Sequence, residues 1–344
     1  MLKVTRPLCW LPKKLLPLIL LIALSQSHAS PLFEDDAVIE VELAGPLHSL
    51  IKSKADRREL PFALKANGIE HQIKVQVRGK SRARLCRFPP LRLNFTKDDT
   101  GQSVFKDQDK LRLVTHCRTG NAAQLDVLDE YAAYRIFSLI SDIGYKVRLL
   151  HITYTDTDGR LKDTTFSRFG FLIESATELA GRAGGKRVHL ASVNLSSLND
   201  QQAASVYVFQ YLIGNTDWSL VTADGEGSCC HNINIFDIGA ELYLVPYDFD
   251  LAGLVNARYA RPDPSLGISK VTQRRYRGFC ISSAALNEAV SAIREKQVDI
   301  LYLIGQIPGF SPKDIEVKRG YLEAFFARAD KQDALIRNFE KRCL

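Results

Sequence analysis

The stretch LYLVPYDFDLAG, residues 242–253, ends a run of Leu, Val and Tyr on two aspartates one residue apart. Leu242 to Val245 has the apolar, β-prone composition of a strand. A packed core rejects unpaired charge, so Asp248 and Asp250 must face water or share a counter-charge. Two more polar clusters lie upstream: Gly214-Asn215-Thr216-Asp217-Trp218 after a helical stretch, and His231-Asn232 at the start of a short strand. All three fall within 37 residues, each where the hydrophobic periodicity breaks, and a strand-turn-strand between them would bring them to one face.

Two carboxylates and a carboxamide are oxygen ligands suited to a hard divalent cation such as Mg²⁺, which in turn bridges phosphate oxygens. Asp217 is left over to orient or deprotonate a hydroxyl. Together these are the parts of a phosphoryl-transfer site.

The rest of the chain bounds that reading. Its 344 residues, 46% hydrophobic and 25% charged, have the composition of a folded protein with a large core. Residues 1–29 read as a secretory signal peptide: Lys3, Arg6, Lys13 and Lys14, then the apolar run Leu15 to Leu24, then Ser27-His28-Ala29 as the cleavage pattern. The apolar run is far shorter than the ~20 residues a membrane span needs. No later segment is long and apolar enough to span, and the chain is expected to be exported, periplasmic or secreted.

Four of the 46 basic residues lie in that leader and none of the 39 acidic ones, so the formal charge of +7 drops to +3 on cleavage. The basic balance belongs to targeting, and a nucleic-acid partner loses its support. The expected partner is a protein substrate or an envelope component.

After the leader, AVIEVEL (37–43), the hairpin signal Asn67-Gly68, PLRLNF (90–95) and KLRLVTH (110–116) predict strands. The period changes over 124–140, where Leu125, Leu128, Ala132, Ile136 and Leu139 predict one amphipathic helix. Two strands around a Thr-Asp-Gly turn carry the sheet to about residue 175, and 176–198 is polar. Beyond it the chain reads as helical: 199–213 behind an Asn-Asp cap, two short strands at 232–247, a Pro-rich connection at 261–266, then helices at about 284–306 and 311–341.

Six cysteines remain after cleavage, an even number in an exported chain, and predict disulfides. Adjacent Cys229 and Cys230 lack the spacing that brings two thiolates to one zinc. Cys86 and Cys117 flank neighbouring strands and are expected to pair. Cys280 is expected to reach Cys229 or Cys230, and Cys343 to take the other. The sequence RGKS at 78–81 lacks the upstream glycine of a phosphate-binding P-loop, and GRAGGKR (181–187) reads as a solvated basic loop.

Several stretches, in order, resemble the CotH-type spore-coat protein kinases: VQVRGKSRARLCRFPPLRLNF, KLRLVTHC, LDEYAAYRIFSLI, GFLIES, FQYLIGNTDW, HNINIF and LVPYDFDLAG. The similarity spans about residues 72–253. It implies an α+β, two-lobed protein-kinase-like fold, with an N-terminal antiparallel β-rich lobe carrying one helix (30–175) and a mainly helical C-terminal lobe (176–344).

It also implies Mg²⁺ and ATP as cofactors. Asp217 would be the catalytic acid, and Asn232, Asp248 and Asp250 the metal ligands. Arg92 would hold nucleotide phosphates and pair with Glu130. Glu174 would lie beside the base, and Arg78 and Ser81 over the phosphates. The chain departs from the family in having His231 for the first of two asparagines, arginine for lysine at 92, and Cys229-Cys230 ahead of Asn232. A catalytically silent module of the same fold and a metal-dependent hydrolase are the alternatives.

Overall fold

The alternation that marks the first half as sheet closes on itself. The computed structural model of the chain describes residues 1–2, 31–96, 100–101, 103–120, 122–223 and 229–344, so the expected signal peptide falls almost wholly outside the described residues. Seven strands form a closed barrel: β1 (Ile39–Gly45), β2 (Leu60–Ala66), β3 (Ile69–Val77), β4 (Leu91–Asn94), β5 (Lys110–Val114), β6 (Val147–Asp156) and β7 (Thr165–Ile173). The order around it is β1-β2-β3-β4-β5-β7-β6, and β1 closes on β6 in parallel, Ile39 opposite Leu150. The other pairings are antiparallel. Asn67 and Gly68 both have positive φ at the β2–β3 turn, the backbone hand that a two-residue hairpin requires.

Strand parity decides what fills the barrel. Val41, Leu43, Leu64, Val75, Leu91, Leu93, Leu111, Leu113 and Ile152 are buried in one cluster, while the residues between them face outward. Short helices α1 (Leu47–Lys52) and α2 (Ser81–Leu85) interrupt the strands, and the single long helix of this half is α3 (Ala123–Ile140).

A second core forms where α3 and the outward side of β6 and β7 meet the C-terminal half. That half contains α4 (Ala176–Arg182), β8 (Lys186–Val188), α5 (Asp200–Ile213), β9 (Ser219–Ala223), β10 (Cys229–His231), β11 (Ile233–Ile238), β12 (Glu241–Pro246), α6 (Ser283–Glu295), α7 (Gln297–Gln306), α8 (Pro312–Ala329) and α9 (Gln332–Glu340). The chain is α+β, with a β-rich first part and a mainly helical second.

The Asn199 side chain caps α5 by accepting from the Gln202 amide at 3.0 Å, as its Asn-Asp signal predicts. The two long C-terminal helices predicted from periodicity are each divided, at Lys296 and at Asp330-Lys331. Neither break carries Gly or Pro. At the first break α6 packs against α5 and α7 against α3, and beyond the second α9 packs against α6. No helix among the described residues is long and apolar enough to cross a membrane.

The disulfides are Cys86–Cys117, Cys229–Cys230 and Cys280–Cys343. The first is as expected; the other two correct the predicted pairing. The tail folds back so that the Leu344 amide donates to the Gly278 carbonyl at 3.1 Å and the Cys280 amide to the Leu344 carbonyl at 3.3 Å, which sets Cys343 against Cys280. The adjacent pair is thereby left to itself. Three disulfides suit an oxidising compartment.

Cys86 directly follows α2, and its bridge closes a 31-residue separation. Replacing Cys86 and Cys117 together with serine is expected to cost roughly 3–4 kcal/mol in urea unfolding, chiefly by releasing the unfolded chain. A loss below 1 kcal/mol would show that the bridge constrains little.

Candidate functional site

The Asp248-Phe249-Asp250 corner is built around its middle residue. Phe249 is fully buried, its ring 4.6 Å from that of Tyr134 on α3 and 5.5 Å from that of Phe209 on α5. This anchor fixes the end of β12. Asp248 follows with a φ of 61°, its amide donating to the Tyr134 hydroxyl oxygen at 2.9 Å. Asp250 is buried and accepts from the Tyr259 hydroxyl at 2.9 Å.

The counter-charge these carboxylates demand is Arg82. After β3, Gly79 at φ 89° turns the chain into α2, which carries Arg82 inward. Its guanidinium makes a two-pronged contact with Glu130 of α3, 2.9 and 3.3 Å, an ion pair with Asp248, and a 3.5 Å contact from Nε to Asp250. The side chains of Arg82 and Glu130 are 9% and 2% exposed, so water screens them little.

Burial opposes the Arg82 charge, yet Asp248, Asp250 and Glu130 outweigh it and hold the guanidinium well above its usual range. Burial also raises the Glu130 carboxyl, against Arg82. The same desolvation pushes Asp250 up to about 8, with Arg82 pulling the other way and Asp248 adding to the rise.

Asp217 belongs to a second cluster. Gly214, at φ 65°, ends α5 in the left-handed conformation, and a Cβ there would come within 2.1 Å of the Tyr321 hydroxyl. The released chain presents Asp217, whose amide donates to Asn215 Oδ1 at 2.9 Å. His231 Nε2 lies 3.0 Å from Asp217 Oδ1, and Asn232 Nδ2 donates to Asp217 Oδ2 at 2.9 Å and to its carbonyl at 2.8 Å. The clusters are joined through the backbone, since the Tyr247 amide donates to the Asn232 carbonyl at 3.1 Å.

Of the residues expected to hold a nucleotide, Glu130 lies in the first cluster, and Arg78 stands near Asp248, Arg82 and Arg112, its guanidinium lowered to about 10 by burial and by those two cations. Ser81 opens α2 and is exposed. Glu174 is committed elsewhere: it accepts from the Lys146 amide at 3.0 Å and pairs with Arg182 at 2.9 Å.

Arg92 does not make its expected pairing with Glu130. Leu91 and Leu93 point into the barrel, so Arg92 points outward, beside Gln76 and Arg112 in register. Its partners are Gln76 and, at 3.7 Å, Glu59. Arg82 occupies the place opposite Glu130. Arg82, His231 and Tyr259 were not expected in these roles. The sequence signal for Arg82 was its position one residue beyond Ser81, in a helix of five residues, too short to show a periodicity.

The donor set does not fit the expected Mg²⁺ site as arranged. Asp248 and Asp250 are turned onto Arg82, and Asn232, whose Nδ2 is held by Asp217, has its Oδ1 left as a donor for a cation. Among the described residues no three His, Cys, Asp or Glu side chains are grouped to hold a metal ion.

No family model matches the chain, and no curated protein does. Among solved structures it is similar to the Helicobacter pylori proinflammatory kinase CtkA, at 13% identity and a TM-score of 0.35, over 79% of this chain and 92% of that one. That likeness is too distant to bear on activity.

Proposed function

We propose that the chain is an exported, CotH-like protein phosphotransferase that moves a phosphoryl group from ATP to a protein hydroxyl, with Asp217 orienting that hydroxyl. The observation that carries the reading is Arg82. One guanidinium links Glu130 on α3 to Asp248 at the end of β12, and a cation joined to a helix glutamate, together with an aspartate at a strand end, is what a kinase-type site must hold in place. Asp217, clamped by His231 and Asn232, supplies the separate carboxylate for the acceptor. Mg²⁺ and ATP are the cofactors that the resemblance implies, but no step is assigned to the metal, because its expected ligands hold Arg82.

That last point favours a second reading, a catalytically silent module that binds an envelope partner. The charge of Arg82 is already paired with Glu130 and Asp248. Thermal unfolding with ATP, with and without Mg²⁺, separates the two. For the phosphotransferase, nucleotide at about one hundred times Kd is expected to add about 2.7 kcal/mol, a rise of roughly 5 °C in Tm. The rise should vanish in Asp248→Ala. No nucleotide-dependent rise in the unsubstituted protein would leave the silent module.

A further inference from the structure

We infer that the cavity beside Asp217 is a subsite for an acidic peptide, read by Arg261 and Arg277. The inference deepens the phosphotransferase reading and rests on it for the role of Asp217, while the ligand class follows from the two lining guanidiniums that close no ion pair among the described residues. The cavity has a volume of about 170 Å³, and its lining includes Asp217, Trp218, His231, Arg261, Asp263 and Arg277. Small-molecule sites run to about 300–1,000 Å³, so this one suits a side chain rather than a nucleotide.

The carboxylates in the lining are already engaged. Asp217 is held by His231 and Asn232, and Asp263 accepts from the Ser265 amide at 2.9 Å and its hydroxyl at 2.8 Å. The two arginines are held differently. Arg277 Nη1 donates to the Thr216 carbonyl at 2.9 Å, and Arg261 Nη1 to the carbonyls of Ala260 at 2.7 Å and Arg258 at 3.4 Å. These backbone contacts position the guanidiniums without neutralising them. Neither closes an ion pair among the described residues, where the neighbouring Arg258 does, with Asp126 at 3.1 Å.

Each guanidinium carries five N–H donors in a planar fork, the complement of a carboxylate. Burial lowers the Arg277 guanidinium from its usual value, while Asp263 and Asp217, both beyond ion-pair distance, act on it in the opposite direction. Because Arg277 is tied to the carbonyl of the residue before Asp217, an acid bound there flanks whatever hydroxyl Asp217 meets. A peptide with Glu or Asp beside its acceptor serine has that chemistry.

The test is binding without nucleotide, which reports on the subsite whether or not transfer occurs. A fluorescein-labelled Glu/Ser peptide and its Gln/Ser counterpart are titrated with the mature protein by fluorescence anisotropy. The acidic peptide is expected to bind at least about tenfold more tightly, the scale of one charge-assisted hydrogen-bonded contact. Arg261→Gln, at an exposed position, and Arg277→Gln should each remove most of that preference, Arg277→Lys should retain part of it, and Lys270→Gln, outside the cavity, should leave it intact. Equal binding of the two peptides, or an acidic preference unchanged in both glutamine variants, would overturn the inference. No phosphoryl transfer by the unsubstituted protein, alongside an acidic preference in its binding, would instead sink the phosphotransferase reading and leave the subsite standing.

Discussion

Replacing Arg82 with methionine is expected to destabilise the protein by about 3–5 kcal/mol near neutral pH, the cost of removing one partner from a buried ion cluster. The variant keeps the length and apolar stem of the side chain but leaves Glu130, Asp248 and Asp250 without their shared cation. Glu130 and Asp250 are buried, and with the guanidinium gone their route to relief is to take up protons.

The pH dependence follows from that. Asp250 titrates near 3.8 when unfolded and at about 8 when folded, so the folded form holds the proton more tightly. Its contribution is fully present below the unfolded value and is lost as pH rises through the folded one, across roughly pH 4 to 8. Each such carboxyl contributes a slope of up to about 1.4 kcal/mol per pH unit. Arg82→Met removes the pull that opposes these rises, so its deficit against the unsubstituted protein should be larger at pH 8 than at pH 5. Urea unfolding at both values measures it. A deficit below 1 kcal/mol, or one equal at both pH values, would mean that Arg82 is not the principal counter-charge.

The same cluster shows how far the sequence could be read. The strands were legible because alternation writes burial directly into the chain, as in Val41-Glu42-Leu43 and Leu91-Arg92-Leu93. The barrel's closure was not, because β1 finds β6 over a hundred residues away, and no local pattern encodes that pairing. Parity also says that Arg92 is on the outside of the barrel, but not which outward surface it meets, so the pairing with Glu130 that the resemblance implies has no support in the strand pattern.

Asp217, Asn232, Asp248 and Asp250 stood out as polar residues at breaks in apolar periods, and they fall into two clusters joined through the Tyr247–Asn232 backbone bond. Arg82 did not stand out, because one arginine in the basic run RGKSRAR looks like its neighbours until α2 turns it inward. His231 read as a departure from a family pattern, yet it lies 3.0 Å from Asp217. The vicinal disulfide was missed for a related reason: the partner that Cys280 takes is set by where the last helix ends.

On the proposed phosphotransferase reading, Asp217→Asn is expected to lower the rate of phosphoryl transfer to an acceptor by about 10²–10⁴-fold, the range for losing a positioned acid–base group. The substitution is chosen because the local hydrogen bonds survive it. Asn232 Nδ2 donates to Asp217 Oδ2, so the carbonyl oxygen of an asparagine belongs at that place. Its amide then faces His231 Nε2, which accepts in the tautomer protonated at Nδ1. Shape and contacts are kept while the charge is lost, and urea unfolding should change by less than about 1 kcal/mol, as for a partly exposed site with its partners retained. Initial rates at saturating nucleotide and acceptor measure the chemical step. A fall confined to the KM for the acceptor would make Asp217 a binding residue, and activity within tenfold of the unsubstituted protein would remove it from the chemistry. The clamp of His231 and Asn232 on one carboxylate would then be architecture that holds β10 and β11 against the end of α5.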